Sequence, residues 1–141
     1  MEETDKRLEA RILLVEDDEP LADVVEARLR IEGMAPTKCA SSAALAALAS
    51  APFDAVVLDV AVDGTDRNRV LSRIRARAAV HALPVVLLTP KDESLRICGP
   101  QLVTGECQTV TKPFTGQELM RKLRLSLVEH EDARPSPGVG G

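Results

Sequence analysis

Short apolar runs alternate along the chain with stretches in which apolar residues recur every three or four positions. Arg11-Ile12-Leu13-Leu14-Val15 is mostly apolar and runs into acids, the pattern of a buried strand. Leu21, Val24, Val25 and Leu29 recur at helical spacing, with Pro20 in the first turn and Gly33 as the stop. Ala35 to Ala40 is a weaker strand. Ser41 and Ser42 are placed to cap an alanine-rich helix reaching about Ser50. Ala55 to Val60 gives the strongest strand signal, and Gly64 marks a loop. Val70, Leu71, Ile74 and Ala78 form the stripe of a third helix, and Pro84 to Thr89 a fourth strand. Gly99-Pro100 breaks any long helix between Pro90 and Gly105. Thr109-Val110-Thr111 is a short fifth strand. Thr115-Gly116-Gln117-Glu118 fits a capping box ahead of a last helix lined by Leu119, Met120, Leu123 and Leu127.

Apolar, non-alternating strands separated by helices predict an α/β fold. Its form is a doubly wound, five-stranded parallel sheet flanked by helices on both faces. The expected organisation is a charged N-terminal extension over 1–10, one domain over 11–128, and a polar, flexible tail over 129–141. In such sheets ligands sit at the carboxyl ends of the strands, beside the point where strand order reverses.

Composition narrows the function. The 141 residues include only two aromatics, Phe53 and Phe114, and carry a net charge of −4. Base stacking and general phosphate-backbone binding are therefore disfavoured, so no direct nucleic-acid partner is expected. No apolar run approaches the ~20 residues of a membrane span, so no membrane partner is expected either. Cys39, Cys98 and Cys107 lack metal-ligand spacing and read as reduced, mostly buried thiols of a cytoplasmic protein.

The predicted strand ends collect one kind of chemistry. Glu16, Asp17, Asp18 and Glu19 follow the first strand, Asp59 lies at the end of the third, Thr89 ends the fourth, and Lys112 follows the fifth. Converging carboxylates repel unless a cation compensates them. Hard oxygen donors near a phosphate suggest Mg²⁺, and a lysine and a threonine hydroxyl suit phosphoryl oxygens. The set is arranged for a carboxylate to attack phosphorus while metal and lysine neutralise the developing charge. Asp18 and Glu19 read as acids favoured at a helix N-terminus.

Ile12 to Asp18, Val57-Leu58-Asp59-Val60, Leu87-Leu88-Thr89 and Thr111-Lys112-Pro113-Phe114 together resemble the receiver domain of bacterial two-component response regulators, a flavodoxin-like fold. Each motif alone is common. The signal is their order and their spacing of 42, 30 and 23 residues from Asp17 through Asp59 and Thr89 to Lys112. The resemblance implies that Asp59 accepts a phosphoryl group from a histidine kinase or phosphotransfer protein. It implies that Mg²⁺ is held by Asp17 directly, by Glu16 through water, by Asp59, and by the backbone carbonyl of Ala61. It makes Thr89 and Lys112 the partners of the phosphoryl group and gives Lys112–Pro113 a cis peptide bond. Slow autodephosphorylation follows as a further expectation. With thirteen residues beyond position 128, a stand-alone regulator signalling to an unknown downstream protein is expected.

Several positions depart from the family pattern. Asp63 stands where the family has proline, and Asp66-Arg67 where it has Asp-Gly. Pro90 follows Thr89 in place of a small residue and removes an amide donor. Lys91 stands at a position that influences dephosphorylation in the family. Thr109 replaces the aromatic residue that swings inward on activation, and Gly99-Pro100 interrupts the output face. These departures favour the alternative of a phosphorylation-independent pseudo-receiver. A haloacid-dehalogenase-type phosphatase is opposed by Ala61 at its nucleophile position, and a flavin or nucleotide cradle by the acids after the first strand. Arg67, Arg69, Arg73, Arg75 and Arg77 make the third helix basic, a solvated face or a surface for an acidic partner.

Overall fold

A computed structural model of the chain describes residues 9–59, 83–89 and 107–133. Five five-residue strands, β1 (Arg11–Val15), β2 (Ala35–Cys39), β3 (Ala55–Asp59), β4 (Val85–Thr89) and β5 (Cys107–Thr111), form one parallel sheet in the order β2-β1-β3-β4-β5. The described helices are α1 (Glu19–Ile31), α2 (Ala44–Ser50) and α3 (Gly116–Ala133). The predicted third helix with its arginines, the loop at Gly64, and Ala61, Asp63, Asp66, Pro90, Lys91 and Gly99-Pro100 lie outside the described residues.

The strands separate two apolar layers. Ile12, Leu14, Val57, Leu88 and Val110 pack with Ala22, Val25 and Leu29 of α1 and Leu119, Met120 and Leu123 of α3. Leu13, Val15, Val56, Leu58, Val85 and Leu87 face the other way, against Ala44 of α2 and the partly buried Phe53. Both faces are covered, which is why β3 and β4 are buried along their whole length and show no polar alternation in sequence. Burial of each large side chain contributes about 1.5–3 kcal/mol. β2 differs: it is an edge strand with a mostly exposed pattern, and it tolerates Pro36 because an edge strand can spare a donor.

Local signals set the helix ends. Asp18 caps α1, its carboxylate accepting from the Leu21 N–H at 3.3 Å, with Pro20 in the first turn. At the other end Gly33 takes φ 88°, its N–H reaches Arg30 O, and the Met34 N–H reaches Leu29 O. This is the paired closure of a Schellman turn, which favours glycine at the left-handed position. The capping box of α3 forms as expected: Glu118 N–H donates to Thr115 Oγ1 at 3.0 Å, and Thr115 N–H to Glu118 Oε1 at 3.1 Å.

Four expectations need correction. Ser41 and Ser42 do not cap α2; Ser41–Ala43 form a 3₁₀ turn, and neither the turn nor α2 has a side-chain cap. Ser41 is instead drawn to a carboxylate across the sheet edge. Val24, counted with Leu21, Val25 and Leu29 at helical spacing, is 67% exposed, and the inward positions are Ala22, Val25 and Leu29. β5 begins at Cys107, two residues before the predicted start, because its ladder to β4 starts at Cys107↔Val85. The last helix runs to Ala133, into the stretch 129–141 that was read as a tail. The polar residues there are ordinary helix formers, and the first proline comes at Pro135.

Candidate phosphoacceptor site

Strand order reverses between β2-β1 and β1-β3, so the carboxyl end of β1 opens onto the crevice. The register sets what meets there. Val15 pairs with Cys39 on one side and Leu58 on the other, so the residues after β1 stand beside Asp59 and the end of β2. Thr89 pairs with Thr111, which brings Lys112 to the same edge. The Glu16 N–H to Cys39 O bond at 3.0 Å and the Lys112 N–H to Thr89 O bond at 2.8 Å carry the ladders one step past the strands.

Pleating then sorts the side chains. Glu16 continues the alternation of Ile12 and Leu14, Asp59 that of Ala55 and Val57, and Lys112 follows Val110, all on the α1/α3 layer. Thr89 continues Val85 and Leu87 on the α2 layer, and Asp17, past the end of β1, turns to Ser41. Glu16 and Asp59 are each 5% exposed, and Thr89 is fully buried.

Lys112 Nζ lies 2.5 Å from Asp59 Oδ1, an ion pair between the third and fifth strands. The Lys112–Pro113 peptide is cis, as the resemblance implied. Glu16 Oε2 accepts from the Asp18 N–H at 3.0 Å. Burial pushes the Glu16 carboxyl up to about 7, and the neighbouring Asp59 carboxylate adds to the shift; the Asp18 amide and the Lys112 ammonium oppose it. Asp17 is held differently: its Oδ1 accepts from the Ser41 N–H at 2.8 Å and its Oδ2 from the Ser41 hydroxyl at 2.9 Å. Among the described residues, Glu16 Oε1 and Thr89 Oγ1 are buried without a hydrogen bond, and Asp59 Oδ1 faces the Lys112 ammonium.

These orphaned acceptors suit a hard divalent cation, which takes carboxylate oxygens and water. Among the described residues no three acidic, histidine or cysteine side chains converge closely enough to cage an ion. Mg²⁺ does not need such a cage, since it keeps several waters and takes one or two carboxylates. The donor set therefore fits the ion, with Glu16 and Asp59 nearest to readiness and Asp17 engaged by Ser41. Ala61, the expected carbonyl ligand, lies outside the described residues.

A family model described as the response regulator receiver domain matches residues 12–124. The chain belongs to this receiver family. Among curated relatives, the sensory transduction protein RegX3 of Mycobacterium tuberculosis H37Rv is 36% identical over 132 residues, covering 91% of this chain and 56% of RegX3. RegX3 of Mycolicibacterium smegmatis is 34% identical over 133 residues with the same coverage. The chain thus spans about half the length of these relatives. Among solved structures, NtrX from Brucella abortus superposes with a TM-score of 0.75 at 25% identity, over 87% of this chain and 28% of that one. The Francisella response regulator 1452 receiver domain shares the fold with a TM-score of 0.71 at 20% identity, over 85% of this chain and 98% of that one.

Within this receiver, sequence reasoning singled out Glu16, Asp17, Asp59, Thr89 and Lys112, and the sheet brings all five to one edge. It missed Ser41, which was read as a cap. The signal available was its place directly after β2, the strand that neighbours β1. Thr109, at the position of the missing ring, is half-buried beside Leu87. A groove of about 550 Å³ opens next to the site, lined by Leu21, Val24 and Arg28 of α1 and by Lys112, Pro113 and Phe114. Among the described residues no helix is long and apolar enough to cross a membrane.

Proposed function

We propose that this receiver accepts a phosphoryl group on Asp59 from a histidine kinase or phosphotransfer protein in the cytoplasm, with Mg²⁺ as cofactor, and passes the signal on by protein contact. The observation that carries this reading is the buried Asp59 ion-paired with Lys112 at 2.5 Å across two strands. An Asp59 carboxylate oxygen would attack phosphorus as the bond from phosphorus to the donor breaks, and the donor leaves with the electron pair. Lys112 is within reach of the oxygens that gain charge, and the Thr89 hydroxyl, without a partner among the described residues, is free to donate to one of them. Glu16, Asp17, Asp59 and the Ala61 carbonyl would hold the ion. It supplies charge neutralisation at the phosphoryl oxygens.

The test is incubation with MgCl₂ and acetyl phosphate, read by intact mass. Wild type should gain one phosphoryl group and Asp59→Asn none. An unlabelled wild type, under conditions that label a conventional receiver, would instead favour a phosphorylation-independent interaction module. Thr109 supports that second reading, because a threonine offers no ring to relay the state of Thr89.

A further inference from the structure

Ser41 holds both carboxylate oxygens of Asp17. Ser41, the first residue of the 3₁₀ turn after β2, gives its N–H to Oδ1 at 2.8 Å and its hydroxyl to Oδ2 at 2.9 Å. Two donors from one residue on two oxygens fix the plane of the carboxylate as well as its position. A second, independent observation concerns the other acids. Among the described residues, Glu16, Asp17 and Asp59 do not converge into a metal-sized cluster. Asp17 stands past the end of β1 and turns to Ser41 after β2, whereas Glu16 turns its Oε2 to the Asp18 N–H.

We propose that Ser41 is a latch on Asp17, holding this carboxylate back from the Mg²⁺ site until the ion draws it away. The inference rests on the Mg²⁺ reading above. Mg²⁺ demands near-octahedral geometry with oxygens at about 2.0–2.1 Å, so a carboxylate fixed by two bonds toward a neighbouring loop must reorient to serve it. Ser41 is half-buried, so water can take over its donors after release, and the barrier to metal entry is modest. The latch ties the β2–α2 connection to the ionic state of the site: when the ion enters, Ser41 loses its partner.

Mg²⁺ binding measured by calorimetry on the full chain tests this, with no phosphodonor present. Ser41→Ala should bind Mg²⁺ about fivefold more tightly, the scale of one net hydrogen bond, and Ser41→Thr should bind as wild type does. In wild type the Ser41 backbone amide should shift in ¹⁵N-correlated NMR and lose exchange protection as MgCl₂ is added. Unchanged or weaker binding in Ser41→Ala, or a Ser41 amide indifferent to the ion, overturns the latch. Failure of wild type itself to bind Mg²⁺ at millimolar concentration would overturn the metal reading beneath it. A folded Ser41→Ala, checked by circular dichroism, keeps the two outcomes separate.

Discussion

Replacing Glu16 by glutamine should make the metal-free protein more stable, and increasingly so as pH rises. The Glu16 carboxyl is 5% exposed and is raised from its ordinary 4.5 to about 7, chiefly by burial and then by Asp59. Because the folded-state value lies above the unfolded one, the folded chain holds more protons between these limits. Stability from the protonated group is complete below pH 4.5 and is lost as pH rises through about 7. The full shift converts to about 3 kcal/mol at 1.36 kcal/mol per unit, and relaxation and water at a strand end reduce this to ~1–2 kcal/mol. Glutamine keeps an oxygen for the Asp18 amide and carries no charge. Urea unfolding in EDTA at pH 4.5, 6 and 8 gives the difference between Glu16→Gln and wild type, in which all other titrating groups cancel to first order. That difference should sit near zero at the lowest pH, grow to ~1–2 kcal/mol in favour of glutamine, and level off above pH 7. A difference independent of pH, or one that grows toward acid, would refute the assignment of burial and Asp59 as the cause.

Three further outcomes follow from the same geometry. Leu14→Ala removes a fully buried side chain from the layer between the sheet and α1/α3 and should cost about 2–5 kcal/mol, read as a lower urea midpoint with an unchanged slope. Thr115→Ala opens the capping box of α3 and should cost ~1 kcal/mol, while Thr115→Ser should restore most of it. Gly33→Ala forces a side chain into φ 88° at the Schellman turn and should cost ~1 kcal/mol by thermal unfolding, whereas alanine at Gly116 comes closest to the movable guanidinium of Arg28 and should be mild.

The strands were the most legible part of the sequence. β1, β3 and β4 are continuous apolar runs because both faces of the sheet are covered, and no surface helix produces that pattern. β5 was read two residues short because Cys107 and Gln108 lack an apolar signature and are held by pairing with Val85 and Val86. Val24 misled because a spacing rule marks a broad stripe, whereas the contact with the sheet selects Ala22, Val25 and Leu29. The site was legible to the same extent as the strand ends, since parallel topology takes residues far apart in sequence to one edge. What the linear pattern could not carry was side-chain choice at that edge. Ser41 has the composition of a cap, and only the adjacency of β1 and β2 gives it Asp17 instead.

Pro36 has a bearing on behaviour at high concentration. An open sheet offers its outer strand as a template, and a neighbouring molecule can add itself by supplying the missing backbone partners. On β2 that row is interrupted at its second residue, where there is no amide hydrogen to share, and Lys38, paired with Asp23 and Glu26 of α1, places charge two residues further on. A chain arriving along this border would find neither an unbroken run of donors nor an apolar strip to cover. This side of the sheet is thereby guarded against edge-to-edge growth while the opposite residues of the same strand complete the fold.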